Sequence, residues 1–222
     1  VDVLKFPKEK TIIINNWISN SKYFEIGERR IDTLVKKKCP GILFVGWVEK
    51  EKGVFELIEA CKLVAQSYEF SVTIVGDGTA LEALVSRAKS YNILDRFNFM
   101  GWTKGEKLIE VYRLADIFVL PSYMEGLPNV ILEAMASRLP IITTPVGNIP
   151  DIVKEGQTGI FVPPKDVIKL AQSLESLFLS YPTRKILGDN GFNVARETFK
   201  ADIAAHKMRE VFHGLVDKRR GR

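Results

Sequence analysis

Within the stretch SYMEGLPNVILEAMA (122–136), Glu125 lies in a loop-like segment and Glu133 on what reads as the first turns of a helix. Two carboxylates so placed are a catalytic acid and base, two contacts that hold one ligand, or the charged side of a capped helix. Pro128 suits the first helical position, where its missing N–H is no loss. The preceding Glu125-Gly126-Leu127 must then turn sharply, with Gly126 supplying permissive dihedrals. Backbone amides around Leu127, Asn129 and Val130 point out of the helix start and can hold anionic or hydroxyl oxygens. Glu133 falls about one and a half turns into the helix, an axial rise of about 7 Å from Pro128. A retaining glycosidase sets its carboxyls roughly 5 Å apart, an inverting one about 6.5–9.5 Å. Glu125 lies beyond the turn, so the spacing favours two contacts along one elongated ligand. An ionised carboxylate accepts two hydrogen bonds from vicinal hydroxyls, as on a ribose or hexose.

Other loops carry weaker signals. In GWVEKEKG (46–53), Gly46 ends an apolar run and Lys52-Gly53 opens a helix. A cation beside free helix N–H groups suits phosphate, whereas a bare helix start gains nothing from a lysine. The stretch is neither a Walker A loop nor a dinucleotide fingerprint. In VGDGTA, Gly76 and Gly78 fit a tight turn into a helix, with Asp77 satisfying turn amides. In FMGWTKGE, Met100, Gly101 and Trp102 either frame a nucleobase with backbone groups and side chains, or are core and half-exposed packing residues.

These loops need a scaffold, and the chain supplies one. Apolar, β-branched runs TIIIN (11–15), GILFVG (41–46), FSVTIVG (70–76), RFNFMG (96–101), DIFVLPS (116–122), LPIITTP (139–145) and TGIFVPP (158–164) read as strands. Between them lie amphipathic helical patterns. Near-continuous apolar strands separated by helices predict a parallel sheet covered on both faces, a doubly wound Rossmann-like α/β fold. Residues 1–30 read as a leading linker and first strand, and 166–222 as a helical C-terminal extension of one domain spanning 1–222. In open parallel sheets ligands bind at the carboxyl ends of the strands, which is where all these loops fall.

Composition excludes several classes. With 46% hydrophobic and 27% charged residues, the 222-residue chain has the material of a soluble globular protein. No apolar run approaches the ~20 residues of a membrane span. The start, VDVLKFPKEK, has neither initiator Met nor signal-peptide pattern, and reads as an excerpt beginning near an interdomain connection. Cys39 and Cys61 suggest neither disulfide framework nor metal cluster, Cys61 lies in a helical apolar pattern, and a reducing cytoplasm fits. The net charge of +5 gathers in Lys36–Lys38 and the tail Lys218–Arg222. Such runs are solvated surface or contacts to anionic lipid at the inner face of a membrane. No nucleic-acid motif accompanies them. His206 and His213 lie on the last helical pattern as structural or solvent-facing residues.

Taken in order, FVG…EKG, VGDG, FMG and LPSYMEGLPNVILEAMASRLPIITTPVGNIPDIVKEGQTGIFVPPKD resemble the C-terminal half of family 4 retaining glycosyltransferases. Those enzymes use nucleotide sugars and have two Rossmann-like domains facing across a cleft, the GT-B arrangement. Their hallmark, a Glu, seven residues and a second Glu, is matched by Glu125 and Glu133. The resemblance covers nearly the whole chain, from about TIIINNWIS to the last helix. It implies that Glu133 holds the donor ribose and that Glu125 contacts the donor sugar near the reacting centre. Gly126, Leu127, Pro128, Asn129 and Val130 would bind sugar and diphosphate oxygens through backbone groups. Lys52 would neutralise the leaving diphosphate, with Gly46, Trp47 and Gly76 beside it and Met100–Trp102 framing the base. The catalytic pair is then Glu125 and Lys52, the donor a UDP-, GDP- or ADP-sugar, and no metal or other cofactor is implied. Trp47 departs from the family, which places an Arg there as part of a diphosphate clamp; Asn148 and Asp151 are minor departures. The acceptor domain that precedes this half is missing, so the isolated chain is expected to bind donor without transferring a hexose. A non-catalytic nucleotide-sugar-binding subunit and a nucleotide-sugar epimerase are the alternatives. Polysaccharide and cell-envelope assembly are what the resemblance implies for its setting.

Overall fold

The computed structural model describes residues 11, 12, 14, 16–33 and 39–220, with only the backbone of 31–33 and 217–220. Its centre is a six-stranded parallel sheet of order β3-β2-β1-β4-β5-β6. The strands are β1 (Gly41–Val45), β2 (Ser71–Val75), β3 (Phe97–Phe99), β4 (Ile117–Leu120), β5 (Ile141–Thr143) and β6 (Gly159–Phe161). β4 is buried along its whole length and β1 from Ile42 to Val45, as strands covered on both faces must be. The helices are α1 (Lys22–Thr33), α2 (Val54–Val64), α3 (Leu81–Ser90), α4 (Glu106–Leu114), α5 (Asn129–Ala136), α6 (Ile149–Ile152), α7 (Val167–Leu179), α8 (Tyr181–Thr198) and α9 (Ala201–Arg220). The chain runs outward from β1 to β3, returns through α4 to β4, and runs outward the other way to β6. With right-handed crossovers this reversal puts α2 and α3 on one face and α4 and α5 on the other. α7 joins α2, while α1 and α8 pack on α5. The doubly wound expectation is met, and the predicted runs from 41 onward are the observed strands.

The leading segment differs from its reading. Thr11, Ile12 and Ile14 carry no strand, and residues 13 and 15 lie outside the described part. Residues 22–30, expected within a linker and first strand, instead belong to α1 (Lys22–Thr33). Tyr23, Phe24 and Ile26 bury one side of it. Buried arginines lock it in place. The Arg30 guanidinium donates to the carbonyls of Ala115 (2.7 Å) and Tyr112 (2.6 Å) at the C-terminal end of α4. Burial pushes the Arg30 pKa down to about 10, against the charge of Asp116. From α5's end, Arg138 donates to the Gly27 carbonyl at 2.7 Å and pairs with Asp189 of α8 at 2.6 Å. A Cβ on Gly27 would lie 2.3 Å from the Ala136 oxygen, so α1 and α5 are in direct backbone contact.

Cys61 is fully buried in α2 and Cys39 is exposed. His206 is exposed and faces Glu210 at 3.4 Å, and His213 is exposed too. Lys36–Lys38 and Gly221–Arg222 lie outside the described residues. Among the described residues no helix is long and apolar enough to cross a membrane.

Candidate functional site

Where β1 and β4 lie side by side, their connections leave in opposite directions, and a crevice opens at the carboxyl ends. The loops after these two strands line it, and they are bound to each other. Tyr123 N–H donates to the Glu51 carbonyl at 2.8 Å, and the Tyr123 hydroxyl to Glu56 at 2.6 Å. Across the same crevice Lys52 Nζ meets Glu125 Oε1 at 2.7 Å. The Glu125 side chain is only 8% exposed, and that of Lys52 26%. A carboxylate this enclosed needs a cation, and Lys52 is the one it has. Two residues 73 apart in sequence thus form one charged unit with Lys52 donors and Glu125 lone pairs left over.

Lys52 ends a 3₁₀ turn (Lys50–Lys52) and α2 begins two residues later, at Val54. Pro128 is the residue before α5 rather than its first turn: its ψ of 122° is extended, and its carbonyl accepts the Ile131 N–H at 3.1 Å. Gly126, expected to need unusual dihedrals, lies outside the left-handed region. What distinguishes it is space, because a Cβ there would meet no atom within 4 Å. The sharp turn is instead secured by Gly147, at φ 56°, where a Cβ would fall 1.9 Å from the Glu125 oxygen. Asn148 N–H then donates to the Gly126 carbonyl at 3.0 Å. Asn16, which sequence reasoning passed over, donates to the Leu127 carbonyl (3.1 Å) and to Asn129 Oδ1 (3.2 Å) at the start of α5.

The glycine strand ends mesh in the same way. Gly76 N–H donates to the Gly101 carbonyl, and Gly46 N–H to that of Val75. With φ 133°, Gly76 passes so close to β1 that a Cβ would stand 1.8 Å from the Gly46 oxygen. Close backbone packing, more than a tight turn, accounts for this residue. Trp47 and Trp102 extend from either side of it, 56% and 66% exposed, their ring centroids 5.5 Å apart. Met100 is half-buried behind them.

Glu133 is half-buried on α5 and turned toward two tyrosines, Tyr112 from a helical pattern and Tyr23 from the segment read as linker and first strand. The Tyr112 hydroxyl donates to its Oε2 at 2.9 Å, and the Tyr23 hydroxyl lies near enough to the same carboxylate to feel its charge. Burial raises the Glu133 pKa above the ordinary carboxyl value, while the Tyr112 and Tyr23 hydroxyls lower it. Tyr112 is wholly buried, and a buried tyrosine hydroxyl needs a partner, which is the signal that could have found it. Glu125 and Glu133 thus have separate partners, one a cation and the other neutral hydroxyls.

A cavity of about 610 Å³ opens elsewhere, against α4 and the β1–β3 part of the sheet, lined by Ser71, Thr73, Asn98 and Glu110. It shares only Met100 with the residues above. The concentration of paired charge, glycine ends and helix starts at the switch point makes the crevice the better candidate. Among the described residues no group of His, Cys, Asp and Glu is arranged to hold a metal ion.

The fold is that of one half of a GT-B architecture. Residues 26–194 match the family described as glycosyl transferases group 1, and the chain belongs to that family. It is 34% identical over 137 residues to a glycogen synthase of Mycobacterium tuberculosis, covering 61% of this chain and 33% of that protein. A capsular polysaccharide biosynthesis glycosyltransferase of Staphylococcus aureus is 25% identical over 189 residues, covering 81% of this chain and 47% of the other. Among solved structures, sucrose-phosphate synthase of Thermosynechococcus elongatus superposes with a TM-score of 0.78 at 28% identity. That match covers 94% of this chain and 53% of the other. The chain therefore spans about half, or less, of the length of these relatives.

Proposed function

We propose that the chain is the donor-binding half of a retaining glycosyltransferase. It would move a hexose-type sugar from a nucleotide diphosphate sugar to a glycan or lipid-linked acceptor. The observation that carries this reading is the Lys52–Glu125 pair at the switch point, 2.7 Å apart, next to the start of the helix that bears Glu133. In a nucleotide sugar the anomeric carbon is joined directly to the diphosphate. A cation for the phosphate and an acceptor for sugar hydroxyls must therefore stand side by side, as these two residues do. Glu133, one and a half turns along α5, takes the ribose hydroxyls, and Trp102 and Met100 frame the base.

Lys52 stabilises charge that develops on the departing diphosphate, the form of electrostatic catalysis this chemistry needs. The acceptor oxygen bonds to the anomeric carbon on the face from which the diphosphate leaves. The carbon–oxygen bond to phosphate breaks, and the acceptor's proton passes to a phosphate oxygen. Configuration is retained without a protein nucleophile. Backbone groups from Gly126 to Val130 bind sugar and diphosphate oxygens, and open space beside Gly126 lets a ligand approach the main chain. An acceptor domain supplies the second wall of the cleft, and the similarity to a capsule-forming relative supports envelope or polysaccharide assembly as the setting.

A panel of UDP-, GDP- and ADP-sugars in a thermal-shift assay tests the reading. At least one is expected to raise Tm, and no shift with any of them would count against it. A second reading, a nucleotide-sugar-binding subunit without activity, has Trp47 in its favour. That residue stands where the family has a clamp arginine and packs on Trp102. Transfer by a two-domain protein containing this chain, measured over the same donors, separates the two.

A further inference from the structure

We propose that Tyr23 and Tyr112 are positioning residues of the donor site: the Tyr112 hydroxyl, hydrogen-bonded to Glu133, and the Tyr23 ring and hydroxyl packed beside it fix the carboxylate so that its remaining lone pairs face a vicinal diol. The proposal rests on the reading of Glu133 as the ribose contact. Three helices converge on this one side chain, since Tyr23 comes from α1, Tyr112 from α4 and Glu133 from α5. Tyr23 is 4% exposed and Tyr112 0%, and their rings meet edge to face with centroids 5.1 Å apart. Phenylalanine would fill such a space as well. A hydroxyl in the core is costly unless it makes a hydrogen bond, and for Tyr112 the partner is Glu133.

The arrangement has little slack. Arg30 ties α1 to the end of α4, and Arg138 with the Gly27–Ala136 contact ties it to α5. Burial, with the charge of Glu133, pushes both tyrosine pKa values well up, so each hydroxyl keeps its proton. A carboxylate offers about four lone-pair directions. The Tyr112 hydroxyl occupies one of them and the Tyr23 hydroxyl can take at most one more, so at least two are left, the number that a cis-diol satisfies. A rotating Glu133 would have to be ordered by the ligand at an entropic cost, whereas one held by Tyr112 and flanked by Tyr23 is already in place.

The test uses Tyr23→Phe and Tyr112→Phe, each of which keeps the ring. UDP, GDP and ADP are titrated into the wild-type chain by calorimetry. The tightest binder and its 2′,3′-dideoxy counterpart are then titrated into every variant. Each Phe variant should weaken the parent nucleotide about 5–10-fold and the dideoxy nucleotide less than about 2-fold. The two ligands are compared within one preparation, so a loss of folded protein changes stoichiometry and not the ratio. Equal losses for both ligands would mean that the tyrosines only support the fold, and no loss for either would mean that they do not act on Glu133; either result overturns the proposal. Glu133→Ala separates it from its premise. If that variant still discriminates the parent from the dideoxy nucleotide, the ribose reading falls and the proposal with it. If it loses discrimination while both Phe variants keep it, only the positioning role falls.

Discussion

At the scale of single residues, the crevice divides its labour between a charge pair and a desolvated carboxylate. Lys52 stands 2.7 Å from Glu125 and still has donors to give. Lys52→Ala is expected to weaken a nucleoside diphosphate about 10-fold or more in a calorimetric titration, and the matching nucleoside less than about 2-fold. Equal losses would put Lys52 away from the phosphates. Glu133 gives a prediction of a different kind. Burial raises its pKa against the Tyr112 and Tyr23 hydroxyls, so the folded chain holds this proton more tightly than the unfolded one. The stability tied to the protonated form is complete below the ordinary carboxyl pKa and is lost as pH rises through the raised folded value. Glu133→Gln escapes that loss. Its Tm should exceed that of wild type by roughly 1–3 °C at pH 7–8, with the gap closing near pH 4, as read by thermal denaturation. Under the proposed function, a stabilising change at this residue is the expected signature of a binding site.

At the scale of elements, the turn between β4 and α5 is held from outside, by the 144–148 segment. Gly147→Ala forces a methyl against the Glu125 carbonyl at a left-handed φ. It should cost about 2–4 kcal/mol in denaturant unfolding. Gly126→Ala meets no atom. Its stability should stay within about 0.5 kcal/mol of wild type, while under the proposed function nucleotide-sugar affinity falls as the methyl enters the donor's space. Sequence made β1, β4 and α5 legible through unbroken apolar runs and the Pro128 signal. It assigned the turn's strain to Gly126 because local composition cannot show which distant segment presses on a loop. The same limit hid α1, whose residues 22–30 read as part of a leading segment until the helix found α4, α5 and α8 to pack against. Tyr112 was visible as a helix residue, but its partner Glu133 is 21 positions away and on another element.

At the scale of the whole molecule, strand order is what turns a list of loops into a site. The β3-β2-β1-β4-β5-β6 order brings the loop after β1 against the loop after β4, and thus Lys52 to Glu125. Apolar periodicity predicts a parallel sheet without its order, so the hallmark spacing of Glu125 and Glu133 was readable while the Lys52 contact was not. Under the proposed function, transfer needs a second domain across the crevice, and this chain supplies the wall that holds the donor. The most direct test is calorimetric titration of UDP, GDP and ADP into the wild-type chain and into Glu133→Ala. At least one nucleotide is expected to bind, and the substitution to weaken it about 10-fold or more, through the lost hydrogen bonds of a charged acceptor. Unchanged affinity in the variant, or no binding of any of the three to the wild-type chain, would contradict the donor-binding role.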